Sequence, residues 1–260
     1  MDAQPPEMGH QPKYGISIRA LIPNMVTAMA LCTGLSAIWF ALSARWPEAV
    51  MAIVAAGVLD GIDGRIARLL KGQSRFGAEL DSLSDNIAFG VSPAIVLFIW
   101  SLQYMPRFGW TIALFYTLCM ALRLARFNAQ IDVEHQPHKS AGFLTGVPAP
   151  TAAGLALLPL VIWLETGFDI AQEQWIVGPW MLFVALLAIS SVATFSWSSL
   201  RIRRSVRMGT IAVAGMLVTI LITAPWVALI ILCIGYLILI PFSMISYGRT
   251  KKRIGIAANN

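Results

Sequence analysis

Four aspartates standing close together could do chemistry as a group. The stretch DGIDGRIARLLKGQSRFGAELDSLSD holds Asp60, Asp63, Asp81 and Asp85 between two uncharged apolar runs, AVMAIVAAGVL before it and NIAFGVSPAIVLFIW after it. Ionisable groups near a bilayer interior are costly, so their presence marks a functional site. On a helix, Asp60, Asp63, Gly64, Ala67 and Arg68 fall at i, i+3, i+4, i+7 and i+8, which is one face. Gly77, Asp81 and Asp85 repeat a four-residue step on a second helix. A short connection around Lys71-Gly72-Gln73-Ser74 would turn the two acidic faces toward each other and make a carboxylate cage.

Such a cage repels itself unless it is protonated or neutralised, and hard divalent cations with oxygen ligands are the usual neutraliser. Two ions about 3.5–4 Å apart can hold a phosphoryl group and activate an attacking oxygen. Magnesium, manganese and calcium all accept such ligands. Gly64, Ala67 and Gly77 are small enough to let a bulky ligand approach the helices, and Arg68 offers a fork for phosphate. Two other readings compete. The aspartates could pair with Arg65, Arg68, Lys71 and Arg75 at a membrane surface, or they could line a pathway of a cation transporter or channel. Neither explains the small residues and Arg68 on the same faces. Glu79, two residues before Asp81, points off that face.

The elements that position these residues must be membrane helices. The 260-residue chain is 57% hydrophobic and 12% charged, with a mean hydropathy of +0.71, which is too apolar for an ordinary soluble domain. The expected fold is all-α, a polytopic transmembrane bundle. At about 20 residues per span, about eight helices are expected. They run over Ile22–Leu42, Glu48–Leu70, Leu80–Leu102, Trp110–Phe127, Pro148–Leu164, Trp175–Phe195, Met208–Thr223 and Trp226–Tyr247, with Pro225 at the last boundary. Residues 1–20, polar and Pro-rich, do not read as a signal peptide and are expected to be a cytoplasmic segment. Residues 21–248 read as one membrane domain, and 249–260 as a basic tail.

Every Lys and Arg except Arg45 and Arg107 falls before the first helix, in alternate connections or in the tail. By the positive-inside rule both termini and the cage face the cytoplasm. The net charge of +6 is spread between apolar spans and forms no stripe with interleaved aromatics, so nucleic acid is not an expected partner. The run Arg201–Arg207 reads as a topological signal with some attraction for anionic lipids. Cys32, Cys119 and Cys233 lie within apolar segments and read as small hydrophobes. His10, His135 and His138 do not read as nucleophiles, and the last two lie in the polar loop Asp132–Lys139.

The pattern Asp-Gly-x2-Ala-Arg-x8-Gly-x3-Asp-x3-Asp is met at Asp63, Gly64, Ala67, Arg68, Gly77, Asp81 and Asp85, with Asp60 three residues upstream. It resembles the signature of the CDP-alcohol phosphatidyltransferases, integral membrane enzymes that move a phosphatidyl group from a CDP-linked lipid to an alcohol and release CMP. The resemblance implies that Asp60, Asp63 and Asp81 supply metal oxygens for two divalent ions. Asp85 would lie near the second ion and act as general base on the acceptor hydroxyl, and Gly64, Ala67, Arg68 and Gly77 would bind the CDP part. It also implies a homodimer.

Further segments, Ile22–Thr27, Ser82–Asn86, Phe89–Ala94, Leu122–Asn128 and Thr145–Pro150, are similar to the serine-using integral membrane branch of that family. The donor would then be CDP-diacylglycerol and the acceptor L-serine, with choline, glycerol 3-phosphate and inositol phosphate as alternatives. Serine brings a carboxylate and an ammonium group, so Arg123, Arg126, Asn128 and Ser84 are candidate acceptor contacts. Arg123 and Arg126 read equally well as membrane anchors, and Asn86 and Ser92 as hydrogen-bonding groups between helices.

Overall fold

The computed structural model describes residues 18–70, 72, 74–131, 143–190, 193–195, 215–216 and 219–257. His10, His135, His138, Lys139, Lys71 and the run Arg201–Arg207 lie outside the described residues. Helix α1 spans Ile18–Leu42 and α2 spans Trp46–Leu69. Helix α3 (Arg75–Asp85) runs through a π-helical turn at Asn86–Val91 into α4 (Ser92–Trp100), and α5 follows at Gly109–Ile131. Then come strand β1 (Phe143–Thr145), α6 (Ala149–Ala156), α7 (Leu158–Thr166), α8 (Gln174–Ile189), β2 (Ala193–Phe195) and α9 (Pro225–Ala257). Among the described residues, three helical stretches, Leu21–Leu42, Arg75–Trp100 and Gly109–Ala129, are long and apolar enough to cross a membrane, and the bent pair α6–α7 makes a fourth if taken as one span. The chain is an integral membrane helical bundle.

Most of the expected helices have a counterpart. Of Met208–Thr223, only residues 215–216 and 219–223 are described, all helical. Pro225 begins α9 after a single non-helical residue, Ala224, whose N–H bonds the Ile220 carbonyl at 2.7 Å and whose carbonyl accepts from Ala228 at 3.1 Å, so the helical hydrogen bonding carries on across the proline. Helix α9 then continues past Tyr247 to Ala257, through the expected basic tail. The helix expected over Trp175–Phe195 instead stops at Ile189, and residues 193–195 pair antiparallel with 143–145, Leu144 opposite Thr194. This short ladder is the exception to an otherwise helical architecture among the described residues.

Prolines explain two local departures from regular helix. Proline has no N–H to offer the carbonyl four residues back. The span expected over Pro148–Leu164 breaks between α6 and α7 with a 47° bend, just before Pro159. The carbonyl that Pro159 leaves free is that of Leu155, and Trp180 of α8 donates its indole N–H to it at 2.8 Å. Likewise Pro93 leaves the Phe89 carbonyl without its helical donor. Tyr116 of α5 donates its hydroxyl to that oxygen at 3.1 Å, and the Ser92 N–H bonds Ile87 in π register. A single π turn within an α-helix is frequent at functional sites, and this one begins directly after Asp85.

Small residues bring the first helices together. Ala30, Ala37 and Ala41 of α1 and Ala49, Ala52 and Ala56 of α2 are all buried. Between them Gly34 faces the π turn, where an added Cβ would stand 2.6 Å from the Ala88 Cβ. Close backbone approach of this kind is the usual basis of helix association in lipid. The core continues through Phe89, Tyr116, Met120, Leu155 and Met181, which tie the π turn, α5, α6 and α8 into one cluster.

Candidate active site

Helices α2 and α3 bring the predicted aspartates together. Ligand oxygens of Asp60, Asp63 and Asp81 all lie within 4.8 Å of one another. Asp85, one turn beyond Asp81, stands within hydrogen-bonding reach of Asp60. The two helices converge because Ser74 caps α3, accepting from the Gly77 N–H at 3.0 Å, and so turns the chain sharply after α2. Asp63 is buried, and the other three are partly exposed.

The surface-pairing reading fails for the described residues. Their one ion pair joins Arg45 to Glu48 at 2.8 Å, at the opposite end of α2. Arg68 donates through Nε to the Gly64 carbonyl at 3.0 Å, leaving the aspartates alone. Carboxylates gathered this closely without a cation partner are strongly unfavourable. Because every donor atom is a hard oxygen, the group fits a divalent ion of the magnesium, manganese or calcium kind.

The two signature glycines differ. An added Cβ at Gly64 would meet nothing within 4 Å, so the α2 backbone is open there to a ligand. At Gly77 it would stand 2.8 Å from Asn24 Oδ1 and 3.1 Å from Ser74 Oγ. Gly77 thus lies against the Asn24 side chain of α1 and the cap of its own helix, a setting that spacing along α3 did not reveal. Ala67 is half-buried and Arg68 is exposed on the same flank of α2 as Gly64.

The candidate acceptor residues separate into two kinds. Arg123 of α5 lies close enough to Asp85 for their charges to interact, and its buried Nε has no hydrogen-bond partner. Arg126 donates through Nη2 to the Ser190 carbonyl at 3.1 Å, beside Gly146, whose positive φ of 80° admits this close packing. Asn128 donates to Ser82 Oγ at 2.8 Å. Ser84 is buried and donates to the Thr27 carbonyl at 3.2 Å, which occupies it in helix packing. Asn86 Oδ1 and Ser92 Oγ, read as possible interhelical groups, are buried without a hydrogen-bond partner.

Sequence reasoning missed the part of α1. Thr27 donates to Asp63 Oδ2 at 2.7 Å, and Asn24 packs at Gly77 one turn away. Nothing near them in the sequence points to these partners on other helices.

Comparison with known proteins agrees with this geometry. The pattern of the CDP-alcohol phosphatidyltransferase family matches residues 20–189, and that of a second group, CDP-alcohol phosphatidyltransferase 2, matches residues 206–241. The chain is 35% identical over 233 residues to a CDP-diacylglycerol–serine O-phosphatidyltransferase of Mycobacterium tuberculosis, covering 89% of this chain and 80% of the relative. It is 32% identical over 172 residues to the protein of that name from Helicobacter pylori, covering 66% and 70%. The one from Bacillus subtilis is 37% identical over 139 residues, covering 54% and 74%. With the family pattern spanning the whole aspartate site, the chain belongs to the CDP-alcohol phosphatidyltransferase family.

Proposed function

We propose that this enzyme transfers a phosphatidyl group from CDP-diacylglycerol to L-serine, giving phosphatidylserine and CMP, in phospholipid biosynthesis. The observation that carries the reading is the convergence of Asp60, Asp63 and Asp81 oxygens within 4.8 Å, with no cation partner among the described residues. The relatives' names support serine as acceptor. Asp60, Asp63 and Asp81, together with Asp85, would hold divalent ions, two by the family resemblance, and magnesium or manganese would suit this use. Bound there, the ions supply neutralisation of diphosphate charge and stabilisation of CMP as leaving group.

The chain's own residues do the rest. Asp85 takes the proton from the serine hydroxyl, whose oxygen forms the new bond to the phosphatidyl phosphorus as the bond to CMP breaks. The open face at Gly64, with Ala67 and Arg68, receives the CDP part, and Gly77 keeps α3 close to α1 beside it. Arg123 is the cation we assign to the serine carboxylate, since its charge interacts with that of Asp85 and its buried Nε has no hydrogen-bond partner. The acyl chains stay in lipid while the diphosphate enters between helices. Positive-inside charge supports a cytoplasmic membrane location with the site facing the cytoplasm. The family resemblance supports a homodimer.

CMP release by detergent-purified protein, given CDP-diacylglycerol and a divalent ion, tests this with serine, choline, glycerol 3-phosphate and inositol phosphate offered singly. Release with serine alone is expected. Release with another alcohol would replace the acceptor. A folded protein that releases CMP with none of them would overturn the proposal and favour a cation pathway.

A further inference from the structure

One buried residue beside the aspartates has no part in the reaction described above. Thr27, 5% exposed, lies on α1 one turn after Pro23. Its Oγ1 stands 2.7 Å from Asp63 Oδ2 and 3.1 Å from the Pro23 carbonyl, while its own carbonyl accepts from Ser84 Oγ at 3.2 Å. Thr27, Asp63 and Ser84, from three different helices, are thus joined at one buried point. A threonine hydroxyl has a single proton to give. An ionised carboxylate is a stronger acceptor than a carbonyl, and the shorter contact is the one to Asp63.

A carboxylate turns easily about its last bond, because that torsion has only broad, shallow minima. A hydrogen bond on Oδ2 helps fix the plane of the group, beside the one its carboxylate takes from the Gly64 backbone. Asp63 is only 4% exposed, so water has little access to do the same work. We infer that Thr27 is a positioning residue: by donating to Asp63 Oδ2 it holds this carboxylate in the orientation that lets it share a ligand with Asp60 and Asp81. The inference rests on the metal-holding role proposed for these aspartates. Outer partners of this kind are typically worth about 10–100-fold in metal affinity.

The test is Mn2+ affinity, read from the free-ion electron paramagnetic resonance signal during titration of the detergent-purified full chain. Thr27→Val removes the hydroxyl at constant shape and is expected to weaken Mn2+ binding about tenfold or more, on the scale of such outer partners. Thr27→Ser keeps the hydroxyl and is expected to bind as wild type does. Ser84→Ala cuts only the bond to the Thr27 carbonyl and is also expected to match wild type. Unchanged affinity in folded Thr27→Val overturns the inference. So does a loss in Thr27→Ser or Ser84→Ala as large as that in Thr27→Val, since that would trace the effect to helix packing. Thr27→Ala is read by the same criteria if the valine variant does not fold. Wild-type protein that takes up no Mn2+, or takes it up equally well after Asp60→Asn, overturns the metal reading itself.

Discussion

Arg123 of α5 and Asp85 at the end of α3 lie near enough for their charges to interact, without forming a direct ion pair. Three residues later, Arg126 is committed to the Ser190 carbonyl. The two arginines are indistinguishable by type and spacing, yet they should behave differently. Arg123→Ala is expected to raise the KM for serine at least tenfold while leaving that for the lipid donor within about twofold, the loss of a charge-assisted contact. Arg126→Ala should lower thermal stability and leave the KM for serine nearly unchanged. Steady-state kinetics on both variants, with thermal unfolding beside them, checks the assignment. Equal shifts in both substrates' KM for Arg123→Ala would reassign it to membrane placement.

Asp85 carries the proposed base. Asp85→Asn keeps the size of the side chain and its reach toward Asp60, but it cannot accept a proton. Turnover should fall by about 100-fold or more, the usual scale for loss of a general base. The variant should elute as wild type does in size-exclusion chromatography. Near-normal CMP release would remove Asp85 from the reaction.

Gly64 and Gly77 offer a direct comparison. Gly64→Ala adds a methyl group to open space, so folding should be unaffected while the KM for CDP-diacylglycerol rises. Gly77→Ala pushes a methyl against Asn24 and Ser74 and should destabilise the protein by about 1–3 kcal/mol, the usual cost of overpacking. Combining it with Asn24→Gly should recover much of that loss. If Gly64→Ala is silent in kinetics, the CDP part does not lie against that face.

Trp180 and Leu155 provide a test of the fold. Trp180→Phe leaves the Leu155 carbonyl without a donor and should cost about 1–3 kcal/mol, the penalty of an unsatisfied buried group. In a Pro159→Ala background the backbone can supply its own donor, and the same change should cost less. A double-mutant cycle measures the difference. Additive losses would show that the indole contributes by packing alone.

The cage was legible in the sequence because its logic is local. Asp60 with Asp63, and Asp81 with Asp85, are spaced by helical turns within single elements, and periodicity places such residues on one face. The helical, membrane-embedded character followed from composition in the same way. Thr27 was not legible, since it meets Asp63 from a separate helix and nothing near it in sequence announces the partner. The bond from the Ser84 hydroxyl to the Thr27 carbonyl of α1 was not legible for the same reason. The early end of α8 was hidden because the segment through Ala193–Phe195 carries no charge, glycine or proline that would stop a helix. Only its pairing with residues 143–145 distinguishes it.

The indole of Trp180 stands in for the backbone donor that Pro159 removed, so neither residue is explained without the other. Across related chains the two should be inherited together. A lineage that reverted the proline would free position 180 to drift toward any apolar side chain, whereas one that keeps the bend must keep a donor there. Co-variation of these two positions, which lie on different helices, would record the history of the bend.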